Sequence, residues 1–185
     1  RTSSDGVAEI IFKRESSKTV TRQVQRIEMN KLSNLEYLQI VLANGDADSG
    51  ESHFAYPPPI ASTLGFNLVE VGQGTATIEI LTDPEKHANP MGTIHGGVLC
   101  DIADAAIGTA HVTTLLEGES FTSIDLQINF FRPIWKDRIR AVAKPVNLGK
   151  TFSRYVCDII SGDGKLAAQV TSTVMTLRGE KASRR

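Results

Sequence analysis

Asn89-Pro90-Met91-Gly92-Thr93-Ile94-His95-Gly96-Gly97 runs without a break into Val98-Leu99-Cys100-Asp101-Ile102-Ala103-Asp104-Ala105-Ala106-Ile107-Gly108, and this stretch decides the fold. Two adjacent glycines ahead of a helix leave backbone N–H groups uncovered by side chains. The helix N-terminus adds a partial positive charge, so an oxyanion or a polarised carbonyl can be held there. Asp104, two turns further on among small and apolar residues, is a candidate base, with a solvated acid on an exposed helix face as the plain alternative. A carbonyl holder and a carboxylate are the minimum needed to hydrolyse an activated acyl group. At about 100° per residue, Leu99, Ile102, Ala103, Ala106 and Ala110 fall on one arc, which predicts a stripe lying on a sheet. Asp104 then points nearly opposite, beside Cys100, Asp101, Gly108 and His111. The small residues of this helix permit another backbone to come close, so the Asp104 face is expected to meet a second subunit.

Working outward, the main helix is predicted from Gly96 to about Leu116, after a polar loop over Thr82 to Thr93. Upstream, Phe66 to Val71 and Thr75 to Leu81 alternate around Gly72-Gln73-Gly74 and read as a hairpin. Downstream, strands are predicted over Ser120 to Phe131, Arg138 to Val146, Thr151 to Ile160 and Leu166 to Leu177, the last entered through the turn Gly162-Asp163-Gly164. Before the hairpin, Pro57-Pro58-Pro59 leads into a short helix, Ile60 to Leu64, closed by Gly65. Earlier still, Ser33-Asn34-Leu35-Glu36 is a capping-box pattern opening a helix with Leu35, Leu38, Val41 and Leu42 on one face and Gly45 at its end. An acidic loop with Asp46, Asp48 and Glu51 follows it. The order of elements predicts an α+β fold, one long helix packed on an antiparallel sheet. The domain reading is a flexible polar extension over 1–31, interrupted by the β-prone run Val7 to Phe12. A helix and acidic loop over 32–56, the main domain over 57–178 and a tail over 179–185 complete it.

Composition narrows the function classes. The 185 residues suit one domain, and 41% hydrophobic content is enough for a core. A formal net charge of -1 gives no general attraction to nucleic acid or to an acidic membrane. Cys100 and Cys157 have no metal-site spacing and suggest no disulfide framework, and no apolar run approaches the roughly 20 residues that span a bilayer. With no basic-then-apolar signal segment at the start, the expected compartment is the cytoplasm. His53, His87, His95 and His111 lack zinc spacing, and neither a phosphate loop nor a dinucleotide fingerprint occurs, so no metal and no cofactor are expected.

The block Asn89 to Leu99, followed by Ala103-Asp104, resembles the hotdog-fold thioesterases of the PaaI-like group. Supporting blocks stand in that family's order: Pro59-Ile60 through Leu64-Gly65-Phe66, Thr122-Ser123-Ile124-Asp125-Leu126-Gln127-Ile128-Asn129-Phe130-Phe131-Arg132-Pro133, Gly149-Lys150, and Gly164-Lys165-Leu166-Ala167-Ala168. The resemblance implies a hotdog fold, an antiparallel sheet wrapped around the central helix. It also implies a homodimer, or a dimer of dimers, with sites at the interface and an acyl-CoA substrate. In that scheme Gly97 offers its N–H to the thioester carbonyl beside Gly96. Asp104 of the opposing subunit is base or nucleophile, Asn89 orients water or substrate, Ser123 assists from its strand, and His95 fixes the glycine turn. Arg132, Lys150 and Arg154 are candidates for the phosphates of coenzyme A, and Phe130, Phe131, Ile107 and Leu126 for the acyl pocket. The other class that fits is a non-catalytic acyl-CoA-binding regulatory protein, against which the acid at 104 argues. Plainer roles stay open for several of these residues. Asn89 before Pro90 is also a turn signal, Ser123 a satisfied strand hydroxyl, Asp101 an acid favoured by the helix dipole, and Cys100 core filler.

Overall fold

Ser33 opens the first helix as its sequence predicts. Its N–H donates to Glu36 Oε2 at 2.8 Å, and the Glu36 N–H donates back to Ser33 Oγ at 3.3 Å. In the computed structural model, which describes residues 32–44 and 54–183, this box starts α1, Asn34–Asn44. The buried face of α1 is Tyr37, Leu38 and Val41, whereas Leu42 stays exposed. The predicted stripe missed Tyr37 because α1 lies on Val112 with Phe54, Tyr56 and Leu68 around it, a contact set no local pattern encodes. The extension over 1–31, its Val7 to Phe12 run, Gly45 and the acidic loop lie outside the described residues.

The prolines lead into α2, Pro59–Leu64, with Pro58 as N-cap and Gly65 closing it at φ +79°, a left-handed conformation that favours glycine. The hairpin follows as β1, Phe66–Gly72, and β2, Thr75–Leu81. The segment expected to be only loop holds a one-turn helix, α3, Pro84–His87. Asp83 accepts from the Glu85 N–H at 3.1 Å and Pro84 sits at the first position. That Asp-Pro start signal was legible in the sequence. The main helix is α4, Gly96–Val112. It stops before Leu116 because the hydroxyls of Thr113 and Thr114 donate to the carbonyls of Ala110 and His111, each at 2.7 Å.

The remaining strands are β3, Ser120–Ser123; β4, Gln127–Phe130; β5, Arg138–Asn147; β6, Phe152–Ile160; and β7, Leu166–Leu177. Together with β1 and β2 they form one antiparallel sheet in the order β1-β2-β5-β6-β7-β3, with β4 also on β7. The predicted single strand Ser120 to Phe131 is therefore two. Ser123 faces Val174 and Gln127 faces Thr171, so four steps along one strand oppose three along the other. One residue too many lies in the break at Ile124-Asp125-Leu126, and it inverts which face the following side chains occupy.

The sheet wraps around α4, giving the hotdog architecture that the resemblance implied. The predicted stripe is the buried one: Leu99, Ile102, Ala103, Ala106 and Ala110 pack with Ile78, Ile80, Ala141, Tyr155, Cys157, Ile159, Val170 and Val174. His111 departs from expectation. Placed by phase on the open Asp104 side, it is instead 1% exposed, because β3 and β7 close over that end of α4.

Candidate functional site

The approach to α4 is tied down one residue at a time. The Asp83 N–H donates to His87 Nδ1 at 2.9 Å, and the His95 N–H donates to the His87 carbonyl at 2.7 Å. Between them the chain turns on Asn89. Its N–H donates to the Thr93 carbonyl and its carbonyl accepts from Gly92, whose φ of +82° again favours glycine. The Asn89 side chain belongs to the same turn. Its Oδ1 accepts from the Met91 N–H at 2.9 Å, and its Nδ2 donates to Thr93 Oγ1 at 2.8 Å.

His95 then caps α4, its Nδ1 accepting from the Gly97 N–H at 2.9 Å. A Cβ on Gly97 would stand 2.9 Å from that same ring nitrogen, and a Cβ on Gly96 would stand 2.8 Å from Phe130 Cζ. Both glycines are thus places where an aromatic ring lies against bare backbone. The Gly97 N–H, the predicted carbonyl holder, serves His95 in the free chain. A substrate oxygen must share that hydrogen or displace the imidazole.

Two turns along α4, Asp104 is exposed, and Ser123 Oγ donates to its Oδ1 at 3.0 Å. The acid and the strand hydroxyl, 19 residues apart in sequence, therefore meet within one chain. Gly97 and Asp104 do not. Seven residues at about 1.5 Å each separate them by roughly 10 Å along the axis, too far for one carbonyl carbon to be held by the first and attacked from the second. Ile124, next to Ser123 in the chain, is 52% exposed, and Phe130, against Gly96, and Phe131 are 55% and 54% exposed.

The other candidates divide clearly. Ile107 is fully buried in the core and Leu126 half-buried against it. Arg132 and Lys150 are exposed. Arg154 is committed to the sheet: its guanidinium donates to Thr173 Oγ1 at 2.7 Å and to Thr171 Oγ1 at 3.1 Å, and it pairs with Asp125 at 3.4 Å. Burial pushes the Cys100 thiol up, with neighbouring Asp101 adding to the effect, so it is no activated nucleophile. Among the described residues no three His, Cys, Asp or Glu side chains gather closely enough to hold a metal ion, and no helix is long and apolar enough to cross a membrane.

Sequence reasoning gave Asp125 no role, although an acid breaking the alternation of a predicted strand was a usable signal. Its carboxylate accepts from the Thr173 N–H at 2.9 Å and from the Thr173 hydroxyl at 2.8 Å. These hydrogen bonds hold the carboxyl below the usual carboxylate range, with Arg154 as a weaker contributor.

The model of the thioesterase superfamily matches residues 91–168, from the glycine turn to the start of β7. A Deinococcus radiodurans protein named "Putative esterase" is 30% identical over 125 residues, covering 66% of this chain and 81% of that one. A mutant form of the phenylacetic acid degradation protein PaaI from Thermus thermophilus superposes with a TM-score of 0.59 at 28% identity, covering 64% of this chain and 98% of that one. A Haemophilus influenzae thioesterase superposes with a TM-score of 0.63 over 80% of this chain and 94% of its own, and at 24% identity it speaks to the fold alone.

Proposed function

The chain belongs to the thioesterase superfamily, and from that premise we propose that it hydrolyses the thioester of an acyl- or aryl-CoA to the free acid and CoA. The observation that carries this reading is the exposed Asp104 carboxylate held by Ser123 Oγ at 3.0 Å on the open face of α4. An exposed acid with one oxygen oriented by a hydroxyl is placed to take a proton from water. A thioester is already activated, so no stronger nucleophile is required.

In the proposed reaction the thioester oxygen accepts from the Gly97 N–H, with the dipole of α4 favouring the charge that develops. Water adds to the carbonyl carbon as Asp104 removes its proton. Collapse of the tetrahedral intermediate breaks the C–S bond, and the CoA thiolate leaves and takes up a proton. The roughly 10 Å between Gly97 and Asp104 of one chain requires the acid to come from a second copy. We therefore propose a homodimer, alone or paired into a dimer of dimers, with the exposed Phe130 and Phe131 near the contact and an isolated monomer inactive. Asn89 and His95 shape the carbonyl side, and Arg132 and Lys150 are offered to the phosphates. The proposed compartment is the cytoplasm.

The test is thiol release across a panel of aliphatic and aromatic acyl-CoAs, with Asp104→Asn in parallel and the association state measured by sedimentation. Hydrolysis by the native chain and its loss in the variant support the reading. Tight acyl-CoA binding without thiol release from any substrate would overturn it in favour of a non-catalytic acyl-CoA-binding regulatory protein.

A further inference from the structure

We propose that Asp125 is a positioning residue, a register lock that sets Ser123 against Asp104 and Phe130 against Gly96. The proposal rests on the reading of Asp104 as the reacting acid. In β3 the side chains that share a face with buried Thr176 and Val174 are Phe121 and Ser123, both odd-numbered. In β4 those sharing a face with buried Val170 and Ala168 are Ile128 and Phe130, both even-numbered. Alternation along an unbroken strand would instead turn Asp125, Gln127 and Asn129 toward α4 and carry Phe130 to the outer face. The one-residue insertion at the break corrects the phase.

An inserted residue leaves ladder groups unpaired, and something must satisfy them. Asp125 does so. The Ile124 N–H still donates to the Thr173 carbonyl at 2.8 Å, but the Thr173 N–H goes to the Asp125 carboxylate at 2.9 Å rather than to a strand carbonyl. The Thr173 hydroxyl donates to the other carboxylate oxygen at 2.8 Å, and Ser172 Oγ donates to the Asp125 carbonyl at 2.6 Å. Arg154 reaches from β6 to Thr173 and Thr171 and pairs with the Asp125 carboxylate at 3.4 Å. The lock thus spans β6, β7 and the break, two residues beyond Ser123. It borders the ladder of β3 on β7 from which Ser123 reaches Asp104.

A double-mutant cycle on thiol release, together with a crystal structure of Asp125→Ala, tests this. Asp125→Ala should lower kcat about 10-fold with KM within about 2-fold, and adding it to Ser123→Ala should cost almost nothing further, since both act through one contact. Asp125→Asn, which keeps an acceptor for the Thr173 N–H, should retain activity within about 3-fold of the native chain. The Asp125→Ala crystal structure should show Gln127 displaced from Thr171 and Ser123 withdrawn from Asp104. This readout stands even if the native chain hydrolyses no acyl-CoA, so loss of the functional reading and loss of the lock are separable. Should Asp125→Ala not fold, Thr173→Val, which removes the hydroxyl between Arg154 and Asp125, takes its place in the same cycle. Retention of the native register in the variant, or effects that multiply in the double variant, would overturn the proposal.

Discussion

Asp104 and His111 stand seven residues apart on the same side of α4, yet one lies in the open and the other is sealed in the core. Helical phase gives them nearly the same direction. What separates them is the strand running beside the helix. Over His111, β3 is in register, and Phe121 packs edge-on against the imidazole at 5.5 Å between ring centroids. Tyr155 Oη and Thr176 Oγ1 meet its two nitrogens at 3.2 and 3.1 Å. Two residues past Phe121 the strand ends, and among the described residues Asp104, which is exposed, has Ser123 as its side-chain hydrogen-bond partner. The same helix face is therefore sealed at its C-terminal end and open in its middle.

The sharpest way to break this contrast is to remove each polar group in turn. Asp104→Ala should lower thiol release by about 10²–10⁴-fold, the range for loss of a general base. Its unfolding free energy should stay within about 0.5 kcal/mol of native, as for other exposed sites. A variant that keeps its turnover, or that unfolds with the loss, would show the acid to be structural. His111→Ala should do the reverse. It takes the His111 partner from the buried hydroxyls of Thr176 and Tyr155, leaving Tyr155 to Thr114, and opens a cavity, for a cost of about 3 kcal/mol in denaturant titration. Turnover per folded molecule should be unchanged.

Ser123→Ala removes one hydrogen bond to a charged group. A drop in kcat of about 10- to 100-fold is expected, with little change in the melting temperature. Equal losses from Ser123→Ala in the native and Asp104→Ala backgrounds would mean that the hydroxyl acts elsewhere.

The smallest effect is in pH. Burial pushes the His111 imidazole below its ordinary 6.5, with Glu119 opposing weakly. Above that value neither folded nor unfolded chain holds the proton and His111 contributes no slope. Below it the unfolded chain binds the proton first, so stability falls with falling pH by at most about 1.4 kcal/mol per unit. Unfolding midpoints compared at pH 7.5 and 5.5 should show this slope in the native chain and its absence in His111→Gln.

Much of this was legible from local chemistry. The capping box at Ser33 and Glu36, the proline start of α2, the hairpin at Gly72 and the sheet-facing stripe of α4 all rest on neighbours three or four residues away, and all appear as predicted. Asp104 stands out from the residues themselves and Ser123 through the family resemblance, and the fold brings them within 3.0 Å. The failures share one cause. The α1 stripe left out Tyr37 and helical phase placed His111 in the open because each has partners far away in sequence, from β1 and β3; the same distance hides the burial of Ile107 and the bonds of Arg154 to β7.

The sequence by itself determined the elements, their order and the chemistry available on α4, because backbone periodicity, caps and turns act over a few residues. Tertiary structure alone decided which polar group on that helix meets water. That choice depends on where β3 stops: Phe121 covers His111, and beyond Ser123 the strand breaks where Asp125 bonds Thr173 across 48 residues. No pattern along a single strand can register a bond made to another.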